Sequence, residues 1–173
     1  MEVLIDSEKI QSRVAELAKM IERDYENRPL TLIGVMTGSM MLLADLARSI
    51  RIPARIAVIQ AGSYKGAVTE AGALVINDAF VPEVAGRDVI ILDDILDTGH
   101  TLSALVDLIA QRGPSSVKTL VLLRKTGRQV VAIDPDYIGF EIPNRFVIGY
   151  GLDFDDDYRH LPHVAVLPES SHD

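Results

Sequence analysis

Cysteine and tryptophan are absent from this 173-residue chain, and aromatic residues make up only 5% of it. Without a thiol the protein can form no disulfide, no thiolate metal site and no cysteine nucleophile. That composition fits the reducing cytoplasm, which is the location we expect. The first ten residues, MEVLIDSEKI, lack a basic region followed by a long apolar run, so we predict no signal peptide.

Basic residues are also scarce, with 17 Lys and Arg against 25 Asp and Glu, for a net charge of −8. Such a chain has no electrostatic footprint for nucleic acid. No apolar run approaches the roughly 18 residues of a membrane span, so we expect no membrane partner. The Walker A, GxGxxG and HExxH patterns are missing as well. A phosphate ligand would therefore need backbone amides, a few Lys or Arg side chains and a divalent cation.

The most informative stretch present is residues 88–102, DVIILDDILDTGHTL. Its four apolar residues, 89–92, are typical of a strand buried on both faces of a parallel sheet. Asp93 and Asp94 follow at once, and a loop over 97–101 leads into apolar residues with helical spacing. The pattern predicts a strand, an acidic loop and a helix.

This order of elements suits a ligand that has a phosphate at one end and hydroxyls or a metal at the other. Helix N-terminal amides favour an anion, and the Thr98 and Thr101 hydroxyls could assist them. Asp93 and Asp94 could accept hydrogen bonds from ribose hydroxyls. A plain acidic strand end, with Thr101 as a helix cap and Gly99 as a turn residue, explains the pattern equally well.

The rest of the chain repeats this alternation of strands and helices. Strands are predicted over 30–36, 55–61 and 117–123, and helices begin near Ser7 and after the Thr37–Gly38–Ser39 turn. Residues 62–72 have neither period and read as a lid or a surface hairpin. We predict one α/β domain over 1–173, with a doubly wound, mainly parallel sheet flanked by helices and a small C-terminal and N-terminal hood drawn mainly from 137–173.

Three stretches and one residue pair resemble one known family. Residues 88–102 resemble the phosphoribosyl-pyrophosphate (PRPP) motif of type I phosphoribosyltransferases, in which two acids precede a D-T-G-x-T loop. Residues 33–48 and 140–167 resemble the hypoxanthine-guanine members, and Ser63–Tyr64 match the Ser-Tyr pair of their mobile loop. The resemblance implies the type I phosphoribosyltransferase fold, and a magnesium-dependent reaction of hypoxanthine or guanine with PRPP that yields a nucleoside monophosphate and pyrophosphate. It also implies a homodimer or homotetramer.

The resemblance assigns the sugar-phosphate and pyrophosphate contacts first. Asp93 and Asp94 would engage the ribose hydroxyls and the magnesium environment, and Arg159 would face pyrophosphate. Ser63 and Tyr64 would close over the site. The 5'-phosphate would be held by Asp97, Thr98, Gly99, His100 and Thr101, and pyrophosphate amides would come from Thr37 and Gly38.

The purine contacts follow from the same resemblance. Asp97 would be the general base near purine N7, Lys125 would donate to the 6-oxo group, and Phe146 would stack on the ring. The backbone of Val147 would pair with the base edge. Asp153 would bind magnesium through its side chain and meet a guanine amino group through its backbone.

The chain departs from many relatives at three positions. Asp93 stands where many have Glu, Thr37 where many have Lys, and Arg145 where many have Lys. A xanthine- or guanine-preferring enzyme of the same superfamily is the first alternative. The second is a nucleotide-sensing regulator that binds RNA, against which the net charge of −8 argues.

Overall fold

A computed structural model describes residues 1–63 and 73–167, except for the side chain of Ser63. Two sheets and three helices make up this part of the chain. In order, the elements are β1 (Glu2–Ile5), α1 (Ser7–Asp24), β2 (Leu30–Met36), α2 (Met40–Ser49), β3 (Ala54–Ser63), β4 (Leu74–Asn77), β5 (Asp88–Leu96), α3 (His100–Ala110), β6 (Ser116–Lys125), β7 (Tyr137–Ile142), β8 (Val147–Ile148) and β9 (Val164–Val166).

The main sheet has six strands in the order β4-β3-β2-β5-β6-β7. Neighbouring strands run parallel, except that β4 pairs antiparallel with β3. Alternation along β5 divides the core, because Ile90 and Leu92 belong to one apolar cluster and Val89 and Ile91 to the other. Helices α1 and α2 supply the first cluster and α3 the second, so helices cover both faces. The predicted doubly wound α/β fold is confirmed.

Local sequence explains the helices. Asp6 caps α1 by accepting a hydrogen bond from the Lys9 amide at 2.8 Å. The buried face of α1 includes Ile10, Val14, Leu17 and Ile21, whose spacing predicts one apolar helix face, and that of α3 includes Leu102, Leu105 and Ile109. For α2 the spacing predicts a face of Met40, Leu43, Ala47 and Ile50. Leu43 is buried together with Leu42 and Leu46, but Met40 is 44% exposed, so the predicted face is wrong at its start.

The hood is a second sheet, with the order β1-β9-β8 and antiparallel pairing. Its predicted main source, 137–173, needs correction at its start. Strand β7 joins the main sheet beside β6, because its residues 137–142 are in parallel register with 120–125. The predicted N-terminal part of the hood is β1, which pairs with β9. Residues 168–173 lie outside the described part of the chain.

The strand order places the loops that matter. In the main sheet, β3 lies on one side of β2 and β5 lies on the other side. The direction in which the chain adds strands to the sheet therefore reverses between β2 and β5. Ligands of open α/β sheets bind beyond the carboxyl ends of the strands at such a reversal. Among the described residues, no helix has both the length and the apolar composition needed to cross a membrane.

Candidate active site

A cavity of about 310 Å³ lies where β2 and β5 end. Its lining joins the loop after β2, the end of β5, the start of α3 and the hood. Ten residues predicted from the sequence contribute to it: Thr37, Gly38, Asp93, Asp94, Asp97, Thr98, Gly99, Thr101, Asp153 and Arg159. The sheet thus brings together segments that are separated by more than a hundred positions in the sequence, although the role of each residue stays a prediction.

Asp93 and Asp94 form a close acidic pair within β5. The strand continues to Leu96, beyond the predicted end, because Ile95 and Leu96 keep the parallel register with β6. Burial raises the pKa of the Asp93 carboxyl well above its usual value, and the charge of Asp94 raises it further. Burial also raises the pKa of Asp94, an effect that the Arg159 charge partly opposes. Such a pair favours a cation or hydroxyl donors beside it.

The loop from Asp97 to Gly99 turns the chain into α3. Gly99 has φ of +93°, and a Cβ there would lie 2.9 Å from the Ile133 side chain, so glycine is required twice over. The Thr98 carbonyl accepts hydrogen bonds from the Val130 and Val131 amides at 2.9 and 3.0 Å. The segment after β6 therefore holds the loop at the start of α3, where the first N–H groups of a helix have no intrahelical partner and favour an anion.

Two cations face the Asp97 carboxylate. The Arg128 Nε donates to Asp97 Oδ1 at 2.9 Å, and the Lys125 Nζ lies 3.8 Å from Oδ2. The Lys125 side chain is only 13% exposed. Arg124, its neighbour on β6, instead pairs with Asp134 at 3.0 Å and with Glu141 at 3.9 Å. Alternation along the strand therefore sends Lys125 toward the predicted base and Arg124 away from it.

Across the cavity, the hood supplies Asp153 and Arg159. The Arg159 guanidinium lies 2.9 Å from Asp153 Oδ1 and donates to the Gly151 carbonyl at 2.6 Å. The Thr37 side chain is exposed beside them, and Gly38 packs against the Asp94 carboxylate. Within residues 1–63 and 73–167, no three Asp, Glu or His side chains converge as a metal site.

Four other predicted residues that the structure describes are not among the lining residues: Lys125, His100, Phe146 and Val147. His100 is exposed at the first position of α3, and Phe146 is 52% exposed with its ring edge-on to Phe154, 5.9 Å between centroids. Val147 is buried at the start of β8. Ser63 ends β3, at the mouth of the β3–β4 hairpin, and Tyr64 falls outside the described residues. Most of the predicted lid, 64–72, does too.

Two site residues were not predicted. Arg128 belongs to a basic cluster that the sequence shows clearly, but nothing there indicates that its guanidinium reaches Asp97. In the sequence, Gly151 is simply the glycine that follows Tyr150. Its backbone packs so closely on the loop after β2 that a Cβ would overlap the Gly38 carbonyl oxygen. The φ of +100° at Gly151 depends on tertiary packing that no local pattern encodes.

Comparison with known proteins decides the family. The model of the phosphoribosyl transferase domain matches residues 3–155. The chain belongs to the phosphoribosyltransferase family. A hypoxanthine-guanine phosphoribosyltransferase of Dictyostelium discoideum is 38% identical over 172 residues, covering 97% of this chain and 96% of the relative.

Two further members place the chain within that family. A bifunctional TilS/HprT protein of Listeria innocua is 39% identical over 165 residues, but this chain spans only 26% of its length. The structure of Trypanosoma cruzi hypoxanthine phosphoribosyltransferase in complex with the product IMP superposes with a TM-score of 0.90 at 38% identity. That superposition covers 99% of this chain and 96% of the other. The family resemblance first seen in separate motifs is confirmed over nearly the whole chain.

Proposed function

We propose that this phosphoribosyltransferase serves purine salvage by transferring the 5-phosphoribosyl group of PRPP to N9 of hypoxanthine or guanine, forming IMP or GMP and releasing pyrophosphate. The observation that carries the proposal is one cavity lined by the acid pair, the Asp97–Thr101 loop and Arg159. The near-full-length relatives named for hypoxanthine and guanine support the choice of base.

The proposed roles follow the chemistry of displacement at C1'. As pyrophosphate departs and N9 attacks, positive charge develops on the sugar in the transition state, and Asp93 and Asp94 would stabilise it. The 5'-phosphate would lie on the N-terminal amides of α3. Arg159 and the Thr37 and Gly38 amides would hold the departing pyrophosphate.

On the purine side, Asp97 would accept the N7 proton, and the neighbouring Lys125 would donate to the 6-oxo oxygen. The short distance between the two side chains supports this, because O6 and N7 lie on the same edge of the purine. Two groups that contact these two atoms must therefore be neighbours. Phe146 would stack on the ring and Val147 would pair with its edge. Ser63 and Tyr64 keep their proposed role as a closing pair.

Magnesium is part of the proposal. Mg²⁺ usually keeps several waters and binds through one or two carboxylates together with substrate phosphates, so a site without three converging acids fits it. Asp93 and Asp94 at the end of β5, or Asp153 across the cavity, would supply those carboxylates. When bound, the ion would neutralise charge on the leaving pyrophosphate.

Steady-state turnover tests the proposal. Purified protein with PRPP, Mg²⁺ and hypoxanthine or guanine should yield IMP or GMP and pyrophosphate in equal amounts. A chain that turns over neither base is not this enzyme. If xanthine alone is used, the xanthine-preferring alternative is correct. Salt-dependent retention of RNA without turnover would point to the regulator.

A further inference from the structure

The hood, the loop after β2 and the Asp94 carboxylate pack against one another in that order. Gly38 lies between the Asp94 carboxylate on one side and the Gly151 backbone on the other, and a Cβ at either glycine would overlap the facing atoms. At Gly151 those atoms are the backbone carbonyl of Gly38, which cannot rotate away as a side chain can. The position of Gly38 is therefore tied to that of the hood.

The hood segment that makes this contact is itself fixed. The Tyr150 hydroxyl donates to Asp45 Oδ2 on α2 at 2.7 Å, and the Gly151 amide donates to the Arg159 carbonyl at 2.9 Å. The Arg159 guanidinium returns a hydrogen bond to the Gly151 carbonyl at 2.6 Å. Gly151 is thus held from both sides at the point where it meets Gly38.

We propose that Gly151 is a positioning residue for pyrophosphate binding: its backbone sets the place of Gly38, and so aims the Thr37 and Gly38 amides into the cavity beside Arg159. This rests on the proposed role of the Thr37–Gly38 loop. The absence of a lysine at position 37 adds to the importance of the amides, because Thr37 brings no cation of its own to the pyrophosphate.

Gly149 offers a matched control two residues away. It has φ of +95°, against +100° at Gly151, and a Cβ there would also overlap a backbone carbonyl oxygen. That carbonyl belongs to His163, within the hood. Gly149→Ala and Gly151→Ala therefore introduce the same strain and the same kind of overlap, but only Gly151→Ala presses on the Gly38 loop.

The experiment compares both variants in the reverse reaction with IMP and magnesium pyrophosphate. Gly151→Ala should raise the KM for pyrophosphate by about tenfold or more, the effect of losing an amide hydrogen bond to a charged group, and should change the KM for IMP by less than about twofold. Gly149→Ala should lower the melting temperature but keep both KM values. An equal rise of the pyrophosphate KM in both variants would overturn the proposal, because general damage to the hood would then explain it.

Tyr150→Phe covers the case in which Gly151→Ala does not fold. It keeps every backbone contact, removes only the bond to Asp45, and should raise the KM for pyrophosphate by a few fold, less than Gly151→Ala, with the KM for IMP kept. The inference is refuted if the KM for pyrophosphate is unchanged in Tyr150→Phe and is also unchanged in Gly151→Ala, where that variant folds.

Amide NMR separates this inference from the proposed function. In the wild type, magnesium pyrophosphate should shift the Thr37 and Gly38 resonances; if it does not, the loop's assigned role is wrong. Without ligand, Gly151→Ala should shift the Gly38 amide and Gly149→Ala should not. A Gly38 amide that Gly151→Ala leaves in place would contradict the positioning role itself.

Discussion

At the scale of single residues, the neighbours Lys125 and Arg124 contact different acids. Lys125 faces Asp97, whereas Arg124 pairs with Asp134 and Glu141. Lys125→Ala should erode the preference for 6-oxopurines over adenine, because a 6-oxo oxygen left without its donor costs about 1–3 kcal/mol. The measurement is kcat/KM for hypoxanthine, guanine and adenine. Arg124→Ala is the control, since Arg124 pairs with Asp134 and Glu141 instead. If only Arg124→Ala loses the discrimination between bases, the contact to the 6-oxo group has been assigned to the wrong residue.

Asp97 carries the second prediction at this scale. Asp97→Asn keeps the size of the side chain but cannot accept the N7 proton, so kcat should fall by about 10²–10⁴-fold while PRPP binding weakens far less. Asp134→Asn is a control, because Asp134 is exposed and pairs with Arg124. Near-wild-type kcat in Asp97→Asn would remove Asp97 from the chemistry.

The sequence pattern placed Asp93 and Asp94 at the end of a buried strand, where parallel strands end at one edge of a sheet. The site roles of Thr37, Asp153 and Arg159 came from the family resemblance and not from the pattern. Arg128 and Gly151 were not predicted, because each matters through a contact with a distant residue. Arg128 contacts Asp97, 31 positions away, and Gly151 contacts Gly38, 113 positions away. Such contacts require the assembled fold.

At the scale of elements, a hydrogen bond joins the end of α1 to the start of β7. The Tyr137 hydroxyl donates to Asp24 Oδ2 at 2.7 Å, and mainly for that reason the pKa of Asp24 lies below its usual value. Arg23, 3.2 Å away, lowers it further. A depressed carboxyl pKa stabilises the fold above about pH 4, the pKa of an unfolded Asp, and this contribution is lost as pH falls through the folded value.

Tyr137→Phe should therefore lower the free energy of unfolding by about 1 kcal/mol at pH 7. The difference from wild type should shrink as pH falls below about 4, where Asp24 of the unfolded chain takes up a proton, and should be lost as pH passes the lower folded pKa. Urea unfolding at pH 7, 5 and 3 measures it. A difference that stays constant across these pH values would show that packing, and not the Asp24 carboxylate, is responsible.

Elements with a strong local pattern were predicted, and those that depend on distant partners were not. Strand β5 and helix α3 follow directly from an apolar run and a helical period. Strand β1 has only four residues and pairs with β9 at the other end of the chain, so no local signal reveals it. The predicted face of α2 is wrong at Met40, which is exposed although Leu42 and Leu43 of the same turn are buried.

At the scale of the whole molecule, the chain carries a net charge of −8, while the substrate that we propose for it is a highly charged pyrophosphate ester. We predict that turnover depends strictly on a divalent cation, because the acid pair and the substrate phosphates repel each other without one. Activity should vanish in excess chelator and return with added Mg²⁺. Full turnover in chelator would contradict this prediction. The expected homodimer or homotetramer also stays a prediction, which light scattering can test.

A competition assay tests the central claim most directly. Hypoxanthine, guanine, xanthine and adenine are supplied together at equal concentration with limiting PRPP and Mg²⁺, and the nucleotide products are separated by mass. The product ratios give the ratios of kcat/KM in a single vessel. Our account predicts IMP and GMP as the main products, with AMP lower by about 10-fold or more because adenine lacks the 6-oxo acceptor for Lys125. AMP formed as readily as IMP, or no nucleotide at all, would contradict it.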